Sequence, residues 1–160
     1  MTIKVGDKIP SVTLQHMTAD GIADISTDEI FGGKRVALFA LPGAFTPTCS
    51  AKHLPGFVAN AGAIKAKGVD TIACVSVNDA FVMNAWGENQ GAGEKVLMLA
   101  DGSAKLATAL GVELDLAERG MGVRSRRYSM IVEDGVVTTF NLEASGGYEV
   151  SDAETLLGKL

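Results

Sequence analysis

Residues 34–50 read KRVALFALPGAFTPTCS. The first half, Lys34 to Leu41, is a near-continuous apolar run, the pattern of a strand buried on both faces in the middle of a parallel sheet. The second half breaks at Pro42-Gly43 and leads into a helical pattern over Thr48–Lys67, which puts Cys49 at the start of a helix just beyond the end of a central strand. In open α/β sheets that location, outside the carboxyl ends of the strands, is where ligands bind.

Outward from this stretch the same unit recurs. GVDTIACVSVND (68–79) and KVLMLAD (95–101) are further buried-strand segments, followed by helices expected over Asp79–Gln90 and Ser103–Leu110 with Asp or Ser caps. The end of the chain changes style. RRYSMIVEDGVVTTFNLE (126–143) carries Asp134-Gly135 between two apolar or alternating runs, a strong hairpin signal. A short helix from Ser151 or Asp152 closes the chain, and Val12–His16 and Ile22–Ile25 suggest two strands before residue 30. Strand–helix units followed by a hairpin predict an α/β fold, a mixed central sheet covered by helices on both faces.

The 160 residues suit a single domain, 1–160, able to bury roughly 70% of the surface its unfolded chain exposes. With 47% hydrophobic residues, 21% charged and a net charge of -5, nucleic acid and anionic membranes are not expected partners. The longest apolar stretch, Val36 to Pro42, is too short to cross a bilayer, and the first residues lack the continuous apolar segment of a signal peptide. Two cysteines give no disulfide framework. A cytoplasmic protein with reduced thiols is the expectation.

Three local features bear on Cys49. Free N–H groups and the dipole at a helix start favour an anion and lower a thiol's pKa from its free value of about 8.5. Pro42 and Pro47 bracket the turn and stiffen it. Thr46 supplies a hydroxyl three residues before the sulfur, within reach of a small polar ligand shared with it. Each feature is also compatible with plain packing. Cys74 differs: within TIACVSV it reads as a buried small hydrophobe with a raised pKa. Any of Arg124, Arg126 and Arg127 can be a solvated surface charge or a site residue.

The octapeptide Pro42-Gly43-Ala44-Phe45-Thr46-Pro47-Thr48-Cys49 resembles the P-x-x-x-T-x-x-C signature of peroxiredoxins. PGAFTPTCSAKHLPGF, CVSVNDAFVMNAWG and RRYSMIVEDGVV resemble the type II or atypical subfamily, and the likeness runs over nearly the whole chain. It implies a thioredoxin-like fold and reduction of hydrogen peroxide and alkyl hydroperoxides by a cysteine, with no metal or prosthetic group. By position, the resemblance makes Cys49 the peroxidatic cysteine, Thr46 the hydroxyl that meets the peroxide, Pro42 the shield of the thiolate, and Arg127 the family's arginine. It also implies a homodimer packed near the site, with Phe45 and Phe81 as candidate contacts. Animal members carry a third, resolving cysteine near the C-terminus; NLEASGGYEVSD (141–152) has none. Glutathione with glutaredoxin, or thioredoxin, is then the expected reductant.

Other chemistries fit less well. The C-x-x-C of a dithiol oxidoreductase is here Thr46-Pro47-Thr48-Cys49. Zinc needs four ligands, and beside Cys49 and His53 only Cys74 and His16 supply sulfur or nitrogen. His53 is instead expected to pack or hydrogen-bond near the site. GAGEKV (91–96) lacks the third glycine of a dinucleotide fingerprint. A thioredoxin-fold binding scaffold without peroxidase activity is the alternative reading.

Overall fold

A computed structural model of the chain describes residues 1–144 and 146–160. In it β3 (Arg35–Ala40), β4 (Thr71–Ser76) and β5 (Leu97–Ala100) form the parallel centre of a seven-stranded sheet ordered β2-β1-β5-β4-β3-β8-β9. The antiparallel strands β1 (Thr13–Thr18) and β2 (Gly21–Ser26) lie on one side, β8 (Tyr128–Glu133) and β9 (Val136–Leu142) on the other. The mixed sheet expected from the sequence is therefore present, with an antiparallel pair on each side of it.

β3 is apolar throughout because both its faces are covered. Val36, Leu38 and Ala40 enter one core with Leu99, Leu110 and Met130. Ala37, Phe39 and Leu41 enter the opposite core with Phe57, Ile64 and Trp86. Phe39 stacks on Phe57 with ring centroids 3.9 Å apart. The helices α1 (Thr27–Phe31), α2 (Leu54–Ala66), α3 (Ala80–Asn89), α4 (Lys105–Leu110) and α5 (Ala153–Leu157) supply the remaining cover.

Several ends are set by the residues read for them. Asp79 caps α3 by accepting from the Val82 N–H at 2.8 Å, and Asp152 caps α5 by accepting from that of Thr155 at 3.2 Å. Asp134 and Gly135 take φ of 46° and 80°, the left-handed pair a two-residue hairpin requires. The expected Ser103 start of α4 is corrected: Asp101, the buried residue after β5, accepts from Leu106 and Ala107 N–H at 3.1 and 3.0 Å. Sequence reading missed α1, five residues long, and the small hairpin β6 (Glu113–Leu116) and β7 (Gly122–Ser125).

The register matters for the site. Ala40 at the end of β3 lies opposite Tyr128 at the start of β8, and Tyr128 lies opposite Leu142 at the end of β9. The chain leaving β3, the chain entering β8 and the chain leaving β9 thus meet at one edge of the sheet.

Candidate active site

The loop from β3 to the helix is held by its neighbours. Ala44 N–H donates to Asn78 Oδ1 at 2.9 Å, and Ser76 Oγ donates to the same oxygen at 2.7 Å, which ties the loop to the end of β4. Arg124 Nη1 donates to the Pro42 carbonyl at 3.2 Å. A Cβ on Gly43 would stand 2.7 Å from that guanidinium, so a larger residue there would push the Arg124 brace aside. Thr46 Oγ1 donates to the Gly43 carbonyl at 2.7 Å, leaving the hydroxyl's lone pairs to accept from a ligand.

Cys49 lies in a π-helical turn, Cys49–His53, that runs directly into α2. This corrects the expectation of a Thr48-capped helix start: Thr48 is already helical and makes no side-chain cap bond. The cause is local. Pro55 has no N–H to give the Ala51 carbonyl and its ring crowds that carbonyl, so the ladder opens. The Leu54 N–H reaches back five residues to the Cys49 carbonyl instead. Ser50 Oγ accepts from Trp86 Nε1 at 3.0 Å, anchoring the turn to α3.

The Cys49 thiol is wholly buried. Arg127 Nη2 donates to its sulfur at 3.2 Å. The other terminal nitrogen, Nη1, bonds His53 Nδ1 at 2.8 Å, and His53 Nε2 bonds the Ser151 carbonyl at 3.0 Å. Guanidinium can only donate and a carbonyl can only accept, so His53 is the neutral tautomer with its proton on Nε2. Burial, helped by the Arg127 charge, pushes its pKa down to about 3, which keeps the ring neutral. Both ring nitrogens are occupied, so His53 has no lone pair left for a metal.

Arg127 is held from above as well. Its guanidinium carbon lies 5.7 Å from the centre of the Tyr148 ring, which itself meets the His53 ring edge-on at 5.3 Å. The three arginines that sequence could not separate have three separate jobs. Arg127 touches the thiol, Arg124 braces Pro42, and Arg126 Nη2 donates to the Glu143 carbonyl at 3.0 Å.

On the far side of Arg127 and Thr48 is a cleft of about 80 Å³ lined also by Pro42, Leu114 and Arg126; Thr46 and the buried Cys49 do not line it. A single water needs only about 10–15 Å³ of such space, so a molecule with two oxygens fits. A larger depression, about 300 Å³, opens at the other end of the parallel strands around Asp70, Thr71 and Leu97, and no cysteine lines it. Pro42, Cys49 and Arg127 are thus gathered at one place, with Thr46 one turn before the sulfur. No direct contact joins Thr46 to Cys49 or Arg127.

Known proteins resemble this chain. The Redoxin family model matches residues 4–157. Peroxiredoxin-2E-2, chloroplastic, of Oryza sativa is 55% identical over 99% of this chain and 73% of its own length. The chain belongs to the peroxiredoxins. Peroxiredoxin-2B of Arabidopsis thaliana is 46% identical over 99% of this chain and 98% of its own. A crystal structure of reduced Prx3 from Vibrio vulnificus in complex with hydrogen peroxide superposes with a TM-score of 0.96, at 56% identity and 99% coverage of both chains. This peroxiredoxin is of type II, has the thioredoxin fold, and is a thiol-dependent peroxidase.

Sequence reading of this peroxiredoxin missed Glu143, Tyr148 and Ser151. The buried Glu143 carboxylate accepts from the Glu149, Val150 and Ser151 N–H groups and the Ser151 hydroxyl, at 2.7 to 2.9 Å. Burial acts to raise its pKa, but these donors together outweigh that and hold it below the usual carboxylate value. An acidic residue followed by Gly-Gly and polar residues looks like any surface loop, so no sequence signal marked it.

Proposed function

We propose that Cys49 is the thiol that reduces hydroperoxides, with Arg127, Thr46 and Pro42 as its partners. The observation that carries this is the 3.2 Å contact from the Arg127 guanidinium to the Cys49 sulfur, the same Arg127 lining a cleft large enough for a peroxide. The thiolate, not the thiol, is the nucleophilic form of cysteine. The thiolate attacks the terminal peroxide oxygen, a sulfur–oxygen bond forms, and the O–O bond breaks. The departing oxygen takes a proton and leaves as water or an alcohol, and Cys49 becomes a sulfenic acid. Negative charge moves from sulfur toward the leaving oxygen in the transition state, so the fixed N–H donors of Arg127 stabilise it more than the ground state. Thr46, its own proton given to Gly43, accepts from the peroxide and orients it. Pro42 forms part of the apolar wall of the cleft.

A second thiol must then condense with the sulfenic acid, forming a disulfide and releasing water. We assign that role to glutathione with glutaredoxin, or thioredoxin, rather than to Cys74. Cys74 is buried in β4, paired to Phe39 on one side and Met98 on the other, and burial pushes its thiol pKa well above the ordinary value. Stopped-flow oxidation by one equivalent of hydrogen peroxide tests the first assignment, and steady-state turnover with glutathione and glutaredoxin tests the second. Cys49→Ser is expected to abolish the rapid phase of oxidation, and Cys74→Ser to retain turnover. Persistence of the phase in Cys49→Ser overturns the reading.

A further inference from the structure

We infer that His53 and Glu143 are positioning residues for the thiol chemistry, the ends of a hydrogen-bonded chain Glu143–Ser151–His53–Arg127 that aims the guanidinium at Cys49; this rests on Cys49 being the reacting thiol. Arginine is long and flexible, and a guanidinium next to a buried sulfur could turn away to solvent at little cost. Here its two terminal nitrogens are committed in different directions, Nη2 to sulfur at 3.2 Å and Nη1 to His53 at 2.8 Å. Rotation about the final bond breaks both contacts together.

Each further link has only one allowed direction of donation. His53 Nδ1 must accept from Arg127, so Nε2 must donate, and the Ser151 carbonyl is the acceptor that receives it. Ser151 sits in a turn with no regular secondary structure, and what fixes it is Glu143. That carboxylate takes the N–H groups of three successive residues and the Ser151 hydroxyl, at 2.7 Å for both Ser151 donors. Glu143 itself is pinned to Arg127 through the backbone, its N–H donating to the Arg127 carbonyl at 3.0 Å. The chain therefore closes on itself: Arg127 enters β8, and Glu143, bonded to it as the chain leaves the neighbouring β9, carries the carboxylate that sets the far end of its support. The charged and titratable groups around His53 are Arg127, Glu143, Asp152 and Tyr148, and among them only Arg127 reaches an imidazole nitrogen.

The chemistry of the substitutions is specific. Gln at position 53 keeps one acceptor for Arg127 and one donor for Ser151, whereas Leu keeps neither. Gln at position 143 places an N–H₂ among three backbone N–H groups that can only donate, with the Ser151 hydroxyl the single neighbour able to accept. A displacement of the guanidinium by roughly 1 Å is enough to cost about 100-fold in rate.

The test is peroxide oxidation by stopped flow on the full chain. His53→Leu and Glu143→Gln are expected to slow oxidation by about 10- to 100-fold, while the conservative His53→Gln stays within about threefold of the parent. In an Arg127→Gln background, where nothing remains to be aimed, His53→Leu and Glu143→Gln should each add less than about twofold. Full additivity there, or a parental rate in the single variants, overturns the inference. Should His53→Leu not fold, Glu143→Gln with and without Arg127→Gln decides by the same comparison. Rapid oxidation surviving in Cys49→Ser would instead sink the underlying assignment of the thiol and is read separately.

Discussion

His53 makes the site sensitive to acid through the unfolded chain. Its native pKa is pushed from 6.5 down to about 3, so the unfolded state binds a proton that the native state refuses over that interval. The stability this represents is complete above about pH 6.5 and drains away as pH falls toward 3, at up to about 1.4 kcal/mol per pH unit. Glu143 acts in the same direction at lower pH, since its depressed native value means that stability is lost as the carboxylate is forced to protonate. Denaturant unfolding between pH 7 and 4 should show this slope, and His53→Gln should flatten it; an unchanged slope would assign the acid sensitivity elsewhere. Residues such as Pro42, Thr46 and Cys49 were legible because the loop that carries them is continuous in sequence. Arg127 was marked only by the family resemblance and Glu143 by nothing, since neither neighbourhood carries a chemical signal of its own. Their connection becomes visible only when β8 and β9 bring them to the end of β3.

At the scale of the element, the π-helical turn is a direct product of Pro55 lying in the second turn of a helix. Pro55→Ala restores the missing N–H and is expected to let Cys49–His53 relax into regular α-helix, turning the sulfur relative to Arg127. The expected result is a more stable helix, by less than about 3 kcal/mol, with slower peroxide oxidation. Equal or faster oxidation in that variant would mean the turn's geometry is irrelevant to the thiol. Buried strands, capped helices and the Asp134-Gly135 hairpin were readable because each obeys a local rule of burial, capping or turn geometry. α1 and the β6–β7 hairpin escaped because they are four or five residues long and the hairpin strands are half exposed, leaving too few periods to count. The π turn itself escaped because a proline near a helix start normally fits without disturbance.

For the whole molecule, two large aromatic side chains stand out in solvent near the site. Phe45 is 53% exposed and adopts φ of 63°, a left-handed conformation costly for any residue but glycine, and Phe81 is 67% exposed. We propose that these two exposed rings pack against a second copy of the chain. Phe81→Glu should then shift the protein from dimer to monomer in sedimentation velocity, with the fold intact by circular dichroism; a monomeric parent protein would refute the proposal. The mixed sheet with both faces covered was foreseeable from the run of apolar strands, while the way distant strand ends converge depends on register that no single strand encodes.

The bond from Trp86 to Ser50 has a practical corollary. The chain has one tryptophan, and it is buried against the very turn that holds the thiol. Any loosening of that turn during the redox cycle must change the polarity around the indole. Its natural fluorescence is therefore a built-in gauge, able to time each oxidation and recovery without a dye attached.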